Sequence, residues 1–172
     1  MTPSGPTHAE GGPLHHDIGL SLIALSALAV ALWHGAHLQR PEISGPFLLD
    51  GALGLAWHTG WVLLMLAVIV SLVLHSRRAY NLLLGWMALA VANAWWEFAG
   101  FLFNNHTALP LHEQLVGHPL DLGTFSGLLM MKTAGITLAA TLVTLYAWRR
   151  RSWFGIASPP EPARPRRTTS GS

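Results

Sequence analysis

The sequence predicts an all-α fold, an integral membrane four-helix bundle with short connectors and disordered termini. Three observations carry that expectation. Of the 172 residues, 51% are hydrophobic and only 10% are charged, whereas a soluble domain carries about 25% charged residues. The apolar residues fall into four long runs, each close to the roughly 20 residues that cross a bilayer. The lysine and arginine sit almost entirely between those runs and in the C-terminal tail, where most prolines also collect.

The first span covers about 18–37, the second 53–74, the third 80–103 and the fourth 124–148. Helices apolar on every side for this length suit lipid and not a soluble core. Between the first two spans lies QRPEISGPFLLDGA, whose prolines and glycines stop helices. Between the second and third only HSRRA remains, so these helices form a tight antiparallel hairpin. The third connector is longer, and its 110–117 stretch, with proline first and glycine last, predicts a short interfacial helix. Residues 17–153 thus form the four-span domain. Residues 1–16 and 154–172 have the composition of disordered tails, the latter containing SPPEPARPRRTTSGS.

Direction follows from the placement of positive charge. Arg77, Arg78, Arg149, Arg150, Arg151, Arg164, Arg166 and Arg167 share one side, and only Arg40 lies on the other. The expected location is the cell membrane, multi-pass, with N- and C-termini cytoplasmic. The segment before the first span has no lysine or arginine, so that span reads as retained and not as a cleaved signal. Trp33, Trp57 and Trp61 fall near the outer boundary and Trp148 and Trp153 near the inner one, as interfacial belts do; packing between helices is the alternative for some of them.

Close approach of helices in lipid favours small residues. Ala24, Ala27, Ala31 and Gly35 form such a stripe in the first span, and Gly123, Gly127, Gly135 and Ala139 in the fourth.

Polar residues gather at a similar depth. With a rise of about 1.5 Å per residue, His34 and His58 lie roughly one turn inside the outer ends of the first two spans. Glu97 lies about 9 Å inside the third and Lys132 about 12 Å inside the fourth. A charge near a helix centre costs roughly 2.5–3.5 kcal/mol, so Glu97 and Lys132 are expected to form an ion pair facing the interior. Asn93, Glu97, Gly100 and Asn104 recur on one helix face as a polar stripe flanked by Trp95 and Trp96. His34 and His37 share a face of the first span. His106, His112 and His118, with Glu113 and Asp121, come from the third connector as accessory loop groups.

Imidazole suits transition metals, so His34, His37, His58 and Glu97 form one candidate metal set, for zinc, copper or iron. Haem is the other cofactor class, with His34 and His58 as axial ligands. His58 and Met65 are poor haem ligands together, lying about 10 Å apart along one helix. Neither the di-iron glutamate–histidine signature nor an H-E-x-x-H motif occurs. Against these stand plainer readings: the histidines as boundary residues, and Glu97–Lys132 as a pair that only fixes helix register. His8, His15 and His16 belong to the N-terminal tail and His75 to the arginine-rich boundary.

Without cysteine, disulfide frameworks, thiolate metal sites and quinone-linked thiol oxidation are excluded. Nucleic acid is not an expected partner, because the arginines flank spans and do not cover a folded basic face. The expected partners are the lipid bilayer and either other membrane proteins or further copies of the chain. Three functions fit: a metal or haem site near the extracytoplasmic face for redox chemistry or metal handling, a non-catalytic subunit or assembly factor of a larger membrane complex, and a small proton-coupled transporter.

Overall fold

The computed structural model describes residues 17–156. The first 16 residues, with His8, His15 and His16, and the tail from 157 lie outside the described residues, so the expectation of disorder at the termini falls there. The chain runs through helix α1 (Ile18–Ala36), strands β1 (Glu42–Ser44) and β2 (Phe47–Leu49), then α2 (Gly51–Val73), α3 (Arg77–Phe103), α4 (Asn105–Val116) and α5 (Leu122–Arg149). Among the described residues, four of the five helices are long and apolar enough to cross a membrane. Less than a third of each of these spans is buried inside the fold. Leu22, Leu25, Leu63, Leu66, Leu138 and Leu142 are among the large apolar side chains left facing outward, a surface that suits a bilayer and not water.

The helices start and stop for local reasons. Asp17 caps α1 by accepting from the amide of Leu20 at 3.1 Å, Ser76 caps α3 through the amide of Arg78, and Asp121 caps α5 through the amide of Thr124. Each satisfies a backbone donor that a helix N-terminus leaves unpaired. The turn between α2 and α3 is tight enough to hold His75 at a φ of 49°. Helix α4 starts five residues before the proline expected to open it: Asn104 precedes it, and its carbonyl accepts from the amides of Thr107 and Ala108. Pro110 therefore sits inside the helix, at the loss of one backbone donor. Gly117 ends α4 at a φ of 81°, a conformation glycine adopts without penalty.

Helix α1 packs along α2, α3 along α5, and α2 meets α3. The core joins Leu20, Ala27 and Ala31 of α1, Met65, Val68 and Leu72 of α2, Leu83 and Trp86 of α3, and Ala140 and Ala147 of α5. Two of the small residues anticipated in α1, Ala27 and Ala31, are buried there. The α5 stripe does otherwise. A methyl group added at Gly127 or Gly135 would meet nothing, and α5 instead buries Leu129, Thr133, Ala140 and Ala147. Its glycines are thus not the contact line. Phe154, one residue past the expected end of the domain, is buried against Tyr80 and Trp153.

The first connector, expected only to stop the helices, holds an antiparallel hairpin. Ser44 pairs with Phe47 around a two-residue turn of Gly45 and Pro46. Gly45 has a φ of 60°, which a two-residue hairpin turn asks of its first residue. The turn lies on α3, where the Cβ positions of Gly45 and Gly100 are closed off by the Trp96 indole and the Gly45 backbone respectively. Strand β1 thereby lies beside α3 and closes one end of the helices.

Candidate functional site

The hairpin end gathers the polar side chains of all four long helices. His34, in the last turn of α1, faces His58, in the second turn of α2, and their Nδ1 atoms are 2.8 Å apart. His58 is fully buried. Its Nε2 lies 3.3 Å from the carbonyl oxygen of Arg40 and 3.9 Å from Oε2 of Glu42. These neighbours assign the protons of a neutral pair. A carbonyl only accepts, so Nε2 of His58 carries hydrogen and its Nδ1 is bare. Nδ1 of His34 then donates to it, and Nε2 of His34 is left as an acceptor. Trp61 stacks parallel to His34, with ring centroids 5.5 Å apart, and fixes that ring.

On the other side of the layer, Lys132 of α5 donates to Oε2 of Glu97 at 2.6 Å, and Asn93 of α3 donates to Oε1 at 2.9 Å. The carboxylate is thus held by two donors, the arrangement that keeps a charge tolerable in a low-dielectric setting. The Glu97 side chain is only 12% exposed and that of Lys132 51%, so the lysine is the partner that reaches toward the surface. Thr133 donates to the carbonyls of Leu129 and Ala94 and ties α5 to α3 just below.

Glu42 links the two halves. It stands on β1, outside the spans. Burial pushes its carboxyl above the ordinary value, and the charge of Glu97 adds to the effect, against opposing pulls from His58, Lys132 and His37. Glu42, Glu97, Lys132 and His112 line a cavity of about 430 Å³, walled by Phe125, Leu128 and Leu129. A second cavity, of about 380 Å³, lies deeper among the helices and is bounded by His34, Asn93, Trp61, Trp86 and residues of α5. Asn93 borders the deep cavity and bonds to Glu97, which borders the outer one.

Not every candidate from the sequence joins this site. His37 follows the end of α1; its Nδ1 donates to the carbonyl of Trp33, and its ring stacks on that indole at 4.1 Å. Asn104 accepts from Thr107 at the start of α4. His112 donates to the carbonyl of Ala108 and lies 4.6 Å from the Phe125 ring, at the cavity wall. His106 and His118 are exposed. Glu113 accepts from the amide of Leu120. Glu42 was missed in the sequence, although the Gly45–Pro46 pair between EIS and FLL is a hairpin signal.

His34, His37, His58 and Glu97 do not assemble a metal centre. Among the described residues no three histidine, aspartate or glutamate side chains come together as a metal would require. Haem fits no better. Axial imidazole nitrogens stand about 4 Å apart, twice a metal–nitrogen bond, whereas the facing nitrogens of His34 and His58 already bond each other.

Compared with known proteins, the chain matches no family model, no curated protein and no solved structure.

Proposed function

We propose that the chain is a small multi-pass membrane protein that relays protons between its deep cavity and the hairpin end, the device of a proton-coupled carrier. The observation that carries this reading is the direct ring-to-ring contact of His34 and His58 with Glu42 beyond it. A proton arriving at Nε2 of His34 releases the proton on Nδ1 to Nδ1 of His58. Nε2 of His58 then gives its own proton to the Glu42 carboxylate. Each imidazole gains one proton and loses one, so neither must hold a charge in the buried state. Both rings end in the opposite tautomer and must be reset before the next transfer. The Nε2–Oε2 distance of 3.9 Å requires a small approach of Glu42 before the transfer. A raised carboxyl pKa suits a group that must hold the arriving proton.

Glu97, Lys132 and Asn93 supply a second polar limb from the same cavity. In this reading the helices pack as a bundle in the cell membrane. The arginine-rich end, with Arg77, Arg78, Arg149, Arg150 and Arg151, is cytoplasmic and the hairpin faces outward, as the distribution of positive charge favours.

The test is proton movement into vesicles that contain the purified protein and a trapped pH dye, driven by an imposed pH difference. Dissipation faster than in empty vesicles is expected. It should fall to the empty-vesicle rate in His58→Phe and in Glu42→Gln. Wild-type vesicles no leakier than empty ones, or flux unchanged in both variants, would remove the proposal.

A further inference from the structure

The deep cavity has the features of a binding site for a specific class of molecule. Its walls come from all four long helices: Val30 of α1, Trp61 of α2, Trp86, Met87 and Ala90 of α3, and Ile136 and Val143 of α5. Among the described residues no charged side chain borders it, so an ionic ligand would be left uncompensated. A volume of about 380 Å³ lies within the range of small-molecule pockets, which are apolar with a few polar groups that fix orientation. Here two of those groups stand at the hairpin end. His34 keeps an acceptor nitrogen, Nε2, because its Nδ1 serves His58. Asn93 keeps its carbonyl oxygen and one N–H, because it gives only one hydrogen to Glu97. Two indoles, of Trp61 and Trp86, offer flat faces beside these polar atoms.

We infer that this cavity binds a neutral lipophile whose head is a hydroxyl-bearing aromatic ring, a phenol- or quinol-type molecule that enters from the bilayer. The ring lies against the indoles and the hydroxyl donates to Nε2 of His34. Asn93 donates its second N–H to the hydroxyl oxygen. The apolar remainder occupies the space between α1 and α5. Binding stands on the cavity and on the acceptor nitrogen of His34. Only the placement of the hydroxyl at the entrance of the relay rests on the proton reading above.

The experiment uses full-length protein in phosphatidylcholine vesicles and measures binding of para-decylphenol by equilibrium dialysis against protein-free vesicles. Its methyl ether, which has the same shape but no hydrogen to donate, is the comparison. Saturable phenol binding is expected, with the ether weaker by about tenfold, the cost of one lost buried hydrogen bond. His34→Phe should bring phenol and ether to the same affinity, and Ala139→Phe, which fills the cavity from α5, should abolish saturable binding of both. Equal affinity of phenol and ether for the wild type would overturn the inference. So would binding undiminished in Ala139→Phe, or uptake no greater than by protein-free vesicles. Proton flux is a separate readout: binding without flux would sink the relay and keep the site, and flux without binding would do the reverse.

Discussion

Nδ1 of His34 and Nδ1 of His58 meet at 2.8 Å, so one of the two must carry a proton and the other must not. The Arg40 carbonyl, 3.3 Å from Nε2 of His58, decides which. The expected resting state is His58 protonated on Nε2 and His34 on Nδ1. Nitrogen-15 spectra of histidine-labelled protein should therefore show the two rings as opposite neutral tautomers at neutral pH. Identical tautomers, or an imidazolium in the pair, would remove the basis for both the relay and the hydroxyl acceptor. His58→Phe should let His34 adopt either tautomer, and the Nδ1–H signal of His34 should lose its hydrogen-bonded shift.

Glu97 and Lys132 bond at 2.6 Å, and Asn93 completes the carboxylate. Glu97→Gln and Lys132→Met should each lower thermal stability in detergent. The double variant should be milder than the sum, because each single change leaves a charge without its partner. A coupling on the order of 1 kcal/mol is expected for contacting residues. Simple additivity in the four-protein cycle would mean that the two side chains do not meet in the folded state.

The pH dependence of stability has a definite sign at Glu42. Burial, and after it the charge of Glu97, holds its carboxyl above the ordinary value of 4.5, so the folded state favours the protonated form. That contribution is present below the ordinary value and is lost as pH rises through the raised one. Glu42→Gln cannot ionise. It should match the wild type near pH 4 and melt at a higher temperature at pH 7. A lower melting temperature at pH 7 would mean that the ionised carboxylate is the stabilising form.

At the opposite end, Asp17 ties the two termini of the helical set together. It caps α1 and accepts from the Tyr146 hydroxyl of α5, and Nε of Arg150 lies 3.4 Å from its other oxygen. Burial alone would raise its carboxyl, but the Tyr146 hydroxyl, the Leu20 amide and Arg150 together hold it below the ordinary value of 3.8. Stability from this group is present above that value and lost as pH falls through the depressed one. Tyr146→Phe should therefore destabilise by about 1 kcal/mol at pH 7, the usual worth of such a bond. The difference should shrink as Asp17 protonates in acid. An unchanged difference between neutral and strongly acidic pH would place the Tyr146 effect in packing and not in the bond.

Much of this arrangement was legible in the residues, and the reasons are particular. Counting turns from the span ends set His34, His58, Glu97 and Lys132 at one depth, because a helix has a fixed rise. The same counting could not exclude His37. It shares a face with His34 in an ideal helix, but the chain leaves helical geometry at His37 itself, with a ψ of 15°. Glu42 escaped because depth counting stops at the last helical residue, and its approach to His58 depends on a hairpin folding back over the helix ends. The glycines of α5 misled for a related reason. Small residues permit close approach, but rotation of the helix decides which face uses it, and Thr133 and Ala140 face α3 instead.

The close approach of that hairpin to Gly100 offers a direct test of whether Glu42 must be fixed for the site to work. A methyl group at Gly100 would come within 2.6 Å of the Gly45 backbone, and backbone cannot turn aside as a flexible side chain can. Gly100→Ala should therefore lift the turn from α3 and cost about 1–3 kcal/mol, as overpacking does. Gly85→Ala is the matched control, since nothing lies near its Cβ position and alanine favours the helix. It should be neutral or slightly stabilising. With the turn displaced, β1 should carry Glu42 away from His58, and proton flux should fall in Gly100→Ala while the Glu97–Lys132 coupling persists. Wild-type stability and wild-type flux in that variant would show that the hairpin does not rest on α3, and the link from His58 to Glu42 would then have no structural support.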